Sequence, residues 1–517
     1  MADPLGQPLV DQLAWAATDR EVARYVRSAG SPDSVFAQAL GDGHAAHGST
    51  LDRPVVYAVE ATALDRGIDA GVALFVRTAA MVRNPSRKPI ERLVFRIFPA
   101  GQEYPGGAHV RGVWVDGEPT PWLLDQTLLE VPLGRRLRPG KMARVLIEMA
   151  VDPPLIDPRM GNPDRYNAEN TGVFGQADGV VNLGHLVPVL TKLDEDGTPD
   201  RRSLPSTGEP AMGRPGLYHV HLDAPAGLTA MMTGSEIARE TDGVRNGLVS
   251  VASGVRTFAV ELARGYRVTT AQVGTVRLRV AHPSDEVAMG AHLLDYGQRS
   301  LAFYNNHFGA LPYREVDIVE APVVLGAGSE FPGLVTADVR HKVATYRKSA
   351  SHEWYVAHEI AHQWWYSEVG TDPAEEPWLD EALASHSALL YWEDRYGRDA
   401  AEAILEREVI EPTRLAQEQG LTDLPANLQA ARYDSVRYGV IIYGRALMFL
   451  DRVVREMGRE NYLGALRAFY AERHCTTVSG EDFLSYLRRY ASEPDAVDAL
   501  HQRWIVEAHG YEDVLAE

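Results

Sequence analysis

A single cysteine, Cys475, occurs among 517 residues. Without a second thiol the chain forms no internal disulfide, and no set of thiolates is available to hold a metal. Positive charge is also in short supply: 51 lysines and arginines stand against 71 aspartates and glutamates, a formal charge of −20. Nucleic acid and anionic membrane surfaces are bound through basic patches, so neither is expected as the main partner. Neutral or cationic substrates suit the balance better. No apolar run approaches the roughly 18–20 residues that cross a bilayer. The opening residues, MADPLGQPLVDQLAWAATDREVARYV, lack a basic stretch leading into an apolar core, so they do not read as a signal peptide. The expectation is a soluble chain, either cytoplasmic as it stands or exported with its leader already removed.

Apolar residues at 45% and charged residues at 24% are ordinary for folded protein, and the length calls for two to four domains. Residues 1–52 read as a helical segment and linker, with Leu9, Leu13, Trp15, Val22 and Val26 near helical spacing. His44 and His47 lie in the Gly/Ser/Asp-rich link and read as solvated residues rather than metal ligands. From 53 to 282 the period is two. VVYAVEATA, GVALFVRTAAMV, RLVFRIFP, ARVLIEMAV, LYHVHLDAP and VRLRVAHP are short β-rich runs broken by glycine, proline and asparagine, which predicts a large antiparallel β domain. An irregular insert at roughly 152–214 interrupts it. After Pro283 the pattern changes to a long helix, the strand DIVEAPVV, and helices over 351–367, 377–396, 399–417, 436–456, 460–472 and 480–490. Residues 283–517 thus form an α+β, mainly helical domain.

Within VAHEIAHQWWYSEV, a helix capped by Ser351 would set His358 and His362 one turn apart on one face. Two imidazole nitrogens can then meet one ion at about 2.0–2.1 Å, which suits zinc. Glu359 can reach a water on such an ion without being a ligand. Alone, the triplet also fits a chance match in an amphipathic helix. The next helix, EEPWLDEALASHSALLYWEDRYG, opens with Glu375 and Glu376 favouring the helix dipole and Pro377 in the first turn. Trp378, Leu379, Ala382, Leu383, Leu389 and Leu390 make its apolar stripe. Asp380 and Glu381 adjoin that stripe, and a buried carboxylate there requires a cation. On these residues alone, both facing solvent remains an equal reading.

HEIAHQWW followed by WLDEALA resembles the zinc metallopeptidases of the aminopeptidase N family, the membrane alanyl aminopeptidase-like gluzincins, including their bacterial branch. In that family the glutamate nineteen positions after the second histidine is the third metal ligand, and the count from His362 lands on Glu381. The resemblance implies one zinc per chain, peptide substrates with a free amino terminus, a saddle-like β domain and a thermolysin-like catalytic domain. GAGSEFPGLVTAD at 326–338 looks like the family's GGMEYPG motif, with one extra residue and no methionine. Glu330 would then bind the substrate's α-amine, with Gly326 and Ala327 beside it. Glu320 in DIVEAPVV is the rival, and an ordinary edge-strand glutamate is the plain alternative. GAGSEFPG has neither the spacing nor the following helix of a dinucleotide loop. RYGVIIYGRALMFLDRV resembles the family's YxKGA helix. It puts Tyr443 in the role of oxyanion donor, Arg445 in the lysine position and Ala446 at the glycine; Tyr438 and a plain core tyrosine are the alternatives. The TQxE-type motif of the β domain is not recognisable, with Gln176 in VFGQADG as a candidate, and the large carboxy-terminal helical domain of longer members is not expected. The leading reading is a zinc aminopeptidase. A thermolysin-like endopeptidase and a non-catalytic aminopeptidase-like scaffold are the alternatives.

Overall fold

The computed structural model describes residues 34–42, 53–156, 172–204, 213–322, 328–339 and 352–516, with single positions 31, 44, 51 and 208. The expected leading helix, and His47, Gly326, Ala327 and Ser351, lie outside the described residues.

The alternating runs become strands. Eight of them form the largest sheet, in the order Ser235–Thr241, Arg245–Val255, Gly216–Pro225, Val56–Asp65, Val72–Arg83, Met142–Val151, Ala108–Val115, Glu118–Pro119. Leu228–Met232, Val260–Arg264, Val180–Leu183 and Phe174–Ala177 form a second sheet, and Val189–Leu190, Ile90–Arg96, Leu128–Leu137 and Leu123–Asp125 a third. Val59, Leu74 and Val76 of the first, Leu262 and Leu183 of the second, and Leu93, Phe95 and Leu129 of the third share one core. The expected antiparallel domain is in fact mixed at one pairing: Val56–Asp65 and Gly216–Pro225 run parallel, with Val56 opposite Leu217. Parallel neighbours need a long crossover, and here it consists of most of the intervening domain. Period-two alternation is blind to strand direction.

A five-stranded sheet starts the second unit, in the order Tyr266–Val273, Val276–Pro283, Glu315–Glu320, Leu334–Ala337, Gly328–Phe331. Its first two strands precede Pro283. Their alternation announces strands, but not which sheet they join. Helix Val287–His307 makes the crossover between the parallel pair Val276–Pro283 and Glu315–Glu320. Gly297 lets it approach closely, since a Cβ there would sit 2.7 Å from the Ile318 side chain. Arg279 in this sheet forks onto Asp317 at 2.7 and 2.5 Å and reaches Glu236 of the β domain at 2.9 Å, pinning the two units together.

The remaining helices stand near their expected positions: His352–Ala361, Trp378–Tyr396, Arg398–Leu405 continued to Glu418, Ser435–Tyr438 continued to Met457, Arg459–Arg473 and Gly480–Tyr490. Two of these contain wider π-helical stretches, Glu406–Ile410 and Gly439–Arg445. The first helix stops at Ala361 rather than 367; the amides of Gln363 and Trp364 bond three residues back, Tyr366 adopts φ 119°, and the chain enters a short strand at Val369–Gly370. Among the described residues no helix is long and apolar enough to cross a membrane.

His386, on helix Trp378–Tyr396, is 1% exposed, with Nδ1 3.1 Å from the Tyr462 hydroxyl. Burial pushes its pKa down from 6.5 to about 4. The folded chain therefore keeps it neutral while the unfolded chain takes up a proton below pH 6.5. Its contribution is complete above that pH and is lost as pH falls toward 4, at a cost of about 3 kcal/mol. Denaturant titrations between pH 7 and 4 are expected to show this decline, with a shallower slope in His386→Gln.

Candidate metal centre

Helix His352–Ala361 buries His358, Glu359 and, one turn on, His362 at its end. The turn that follows brings the Trp365 carbonyl to 3.0 Å from His362 Nδ1. A carbonyl only accepts, so Nδ1 carries the proton and Nε2 of the neutral ring is left with its lone pair. His358 is held from the neighbouring helix, with Nδ1 3.2 Å from Ser385 Oγ. The two Nε2 atoms lie 3.1 Å apart. Helix Trp378–Tyr396 supplies Glu381, whose Oε2 is 3.4 Å from each of them. Three donors each about 2.0–2.1 Å from one tetrahedral zinc would be separated by about 3.3–3.4 Å, so the donor set fits that ion in type and spacing. Among the described residues this is the one histidine–carboxylate cluster with such geometry.

The electrostatics favour a cation. Burial opposes charging of His362, but Glu330, Glu381 and Glu359 outweigh it and push its pKa well up. Burial likewise opposes ionisation of Glu381, yet His358 and His362 hold it well below the usual carboxylate range. The solvent-facing alternative for Asp380 and Glu381 is excluded, since they are 2% and 5% exposed. Asp380 accepts from the Thr371 hydroxyl at 2.9 Å and from the Glu381 amide at 3.1 Å. Burial, followed by the charge of Glu381, pushes its pKa up to about 7.

Glu359 is 6% exposed and packs against Gly328, where a Cβ would lie 2.6 Å from its Cγ. Gly328 begins the hairpin of Gly328–Phe331 and Leu334–Ala337, whose turn is Pro332-Gly333 with Gly333 at φ 70°. GAGSEFPG is thus a hairpin in its described part, followed directly by the strand Leu334–Ala337 where a dinucleotide loop would require a helix. Glu330, in its first strand, acts electrostatically on both His362 and Tyr443. The rival Glu320 is fully buried and accepts from the Tyr266 hydroxyl at 2.6 Å.

Tyr443 lies in the π-helical stretch, its hydroxyl donating to Glu381 Oε1 at 2.7 Å and its ring 5.9 Å from that of His358. Burial, then the charge of Glu381, raises its pKa. Tyr438 is 5.8 Å away, ring to ring. Arg445, in the lysine position of the resembled motif, turns away to Asp423 at 3.0 Å. Gln176 corrects the expectation of a pocket-lining role. Its Oε1 accepts from the Val72 amide at 2.7 Å and its Nε2 donates to Pro153 O at 2.7 Å, so the side chain is used up within the β domain. Among the described residues His44 joins no metal cluster.

The sequence reading missed Gln363. This fully buried side chain accepts from the Gly333 amide at 2.7 Å and donates to Phe331 O at 3.2 Å, fastening the Glu330 hairpin to the end of the histidine helix. A buried amide next to two tryptophans was a signal, but its partner was not legible.

The described residues thus place a His-His-Glu centre in a mainly helical unit that follows a β-sheet unit. Residues 292–504 match the Peptidase family M1 domain. The chain is 24% identical to "Aminopeptidase M1" of Arabidopsis thaliana over 61% of its own length and 36% of that protein's. It is 23% identical to "Probable aminopeptidase 2" of Sulfurisphaera tokodaii over 45% and 30%. It spans about a third of the length of these curated relatives. A crystal structure of an M1 zinc metallopeptidase from Deinococcus radiodurans shares the fold, with TM-score 0.62 and 18% identity over 90% of this chain and 95% of that one.

Gly328→Ala is expected to displace the Glu359 carboxyl, because the new methyl meets both that side chain and the Thr336 carbonyl, 2.5 Å away. Peptidase turnover should drop at least about tenfold with the zinc content, read by atomic absorption, unchanged.

Proposed function

We propose that the protein is a zinc aminopeptidase that removes the amino-terminal residue of peptides. The observation that carries this reading is the convergence, in one buried cluster, of His358, His362, Glu381, Glu359 and Tyr443, with Glu330 acting on it from the adjoining hairpin. His358, His362 and Glu381 would hold zinc, which when bound supplies Lewis acidity toward the scissile carbonyl and lowers the pKa of water. Glu359, one residue from the first ligand, takes the proton of the attacking water and passes it to the leaving amine. The Tyr443 hydroxyl, kept protonated by burial and by the charge of Glu381, donates to the developing oxyanion. The carboxylate of Glu330 receives the free α-ammonium of the substrate in a charge-assisted contact and so sets which bond is cut. Gln363 fixes that carboxylate relative to the ligands.

The Deinococcus radiodurans protein has been crystallised with the tripeptide Tyr-Ser-Ala, in keeping with peptide substrates for this fold. A thermolysin-like endopeptidase would have no use for an anionic side chain at the amine position. A binding scaffold would have no use for the complete set of ligands and base.

A panel of aminoacyl chromogenic substrates, each with an acetylated control, tests the reading with and without chelator. Free-amine substrates should turn over, acetylated ones should not, and chelator should abolish the activity. Efficient cleavage of acetylated peptides would favour the endopeptidase. Glu359→Gln should keep zinc and lose nearly all turnover; substantial residual activity rules out this base. Tyr443→Phe should lower kcat by about 100-fold to 1,000-fold, the scale of losing one oxyanion donor.

A further inference from the structure

We infer that Arg202, contributed by the β domain, is a positioning residue for the third metal ligand; this rests on the reading of His358, His362 and Glu381 as a zinc site. Arg202 lies in the irregular insert, far in sequence from either metal-binding helix. Its guanidinium reaches Glu375 Oε1 at 2.7 Å and Asp372 Oδ2 and Oδ1 at 2.8 and 3.3 Å. A second face of the same fork is held by Asp200, with NH2 2.6 Å from Oδ2.

Asp372–Glu376 is the turn that launches the glutamate helix. The carbonyl of Asp372 accepts from the amides of Glu375 and Glu376 at 3.0 and 2.9 Å. Thr371, immediately before the turn, donates its hydroxyl to Asp380, the neighbour of Glu381. The path from the β domain to the ligand is therefore short: guanidinium, Asp372 and Glu375, the turn, Thr371 and Asp380, Glu381. Two other elements hold the same turn. Gln429 donates to Glu375 at 2.9 Å and the Ala430 amide to Ala374 O at 3.0 Å, while Glu376 accepts from the Gly480 amide at 3.1 Å. Arg202 is the one of these clamps that comes from the other domain, and the one that brings positive charge to a turn with three carboxylates.

A planar fork shared among three carboxylates fixes orientation as well as charge, which a lysine cannot reproduce. The side chain is 35% exposed, so its replacement leaves no buried cavity. Arg245, whose Nε donates to both Asp223 carboxylate oxygens at 2.9 and 2.8 Å and whose side chain is 31% exposed, is a matched control within the β domain.

The experiment measures the zinc dissociation constant by chelator competition for the wild-type chain, Arg202→Met, Arg202→Lys and Arg245→Met, with kcat, KM and Tm for each. Arg202→Met should weaken zinc binding about tenfold or more, as loss of outer-shell support to a ligand does. Its kcat should fall while KM stays within about twofold, with Arg202→Lys intermediate and Arg245→Met at the wild-type zinc affinity. Equal zinc affinities in Arg202→Met and wild type overturn the inference, whatever happens to Tm. So does an equal loss in Arg245→Met, which would mark general loosening. A wild-type chain that binds no zinc overturns the metal reading itself, and this inference with it.

Discussion

Everything at the centre of this molecule follows from one arrangement: two imidazole nitrogens and a carboxylate oxygen held 3.1–3.4 Å apart on two different helices, almost out of contact with water. Lewis bases brought so close without a cation repel one another or trap a proton, so such an arrangement persists only where the surrounding chain enforces it. Trp365 shows how. Its carbonyl orients His362, and its indole nitrogen donates at 2.9 Å to Ser387 of the helix that carries Glu381. One residue thus sets both the tautomer of a ligand and the spacing of the two helices. Tyr304 secures the histidine helix from the other side by donating to Ala357 O at 2.9 Å.

The β domain belongs to the same mechanical system. Asn182 donates to Pro322 O at 3.0 Å, at the entrance to the segment that leads into the Glu330 hairpin. Phe331 packs against His185, ring centres 5.4 Å apart, and a Cβ on Gly184 would meet its ring at 2.7 Å. The hairpin is consequently held between two clamps, the β domain on its Phe331 face and Gln363 at its turn. Geometry at Glu330 depends on the packing of the two domains, whereas geometry among His358, His362 and Glu381 depends on helix pairing, with Arg202 as the contact from the β domain.

This division explains what was legible in the sequence. His358, Glu359 and His362 were readable because a helix puts fixed spacings on one face, and Glu381 because resemblance fixed its distance from His362. The location of Asp380 was undecided on residues alone, since an acidic pair in a first turn looks the same exposed or buried. Glu330 could be proposed from a shifted motif, but its separation from Glu320 depended on a tertiary partner, Tyr266, which local pattern does not carry. Gln176 misled for the same reason: a buried glutamine next to a turn suits a pocket or a backbone clamp equally. The strands Tyr266–Val273 and Val276–Pro283 alternate like those before them yet join the sheet of Glu315–Glu320, with which Val276–Pro283 pairs directly, because register and sheet membership are set across the fold. The π-helical widening at Gly439–Arg445, which carries Tyr443, leaves no mark on apolar periodicity over so short a stretch.

Charge closes the account. The carboxylates of Glu330, Glu381 and Glu359 act on His362, and those of Glu381 and Glu330, together with Tyr438, act on Tyr443. Asp380 beside them is pushed up to about 7 by burial and by Glu381. Two arginines of the neighbourhood are engaged elsewhere, Arg445 with Asp423 and Arg202 with the turn at Asp372. A buried site that gathers this much negative charge, with no guanidinium of its own among the described residues, would on the proposed reading be matched by two positive guests, a divalent ion at the ligands and an ammonium at the hairpin. An acetylated amino terminus brings no charge to the second position and leaves the Glu330 carboxylate uncompensated. Selectivity for a free amine is on this view the other half of the electrostatic balance that holds the metal.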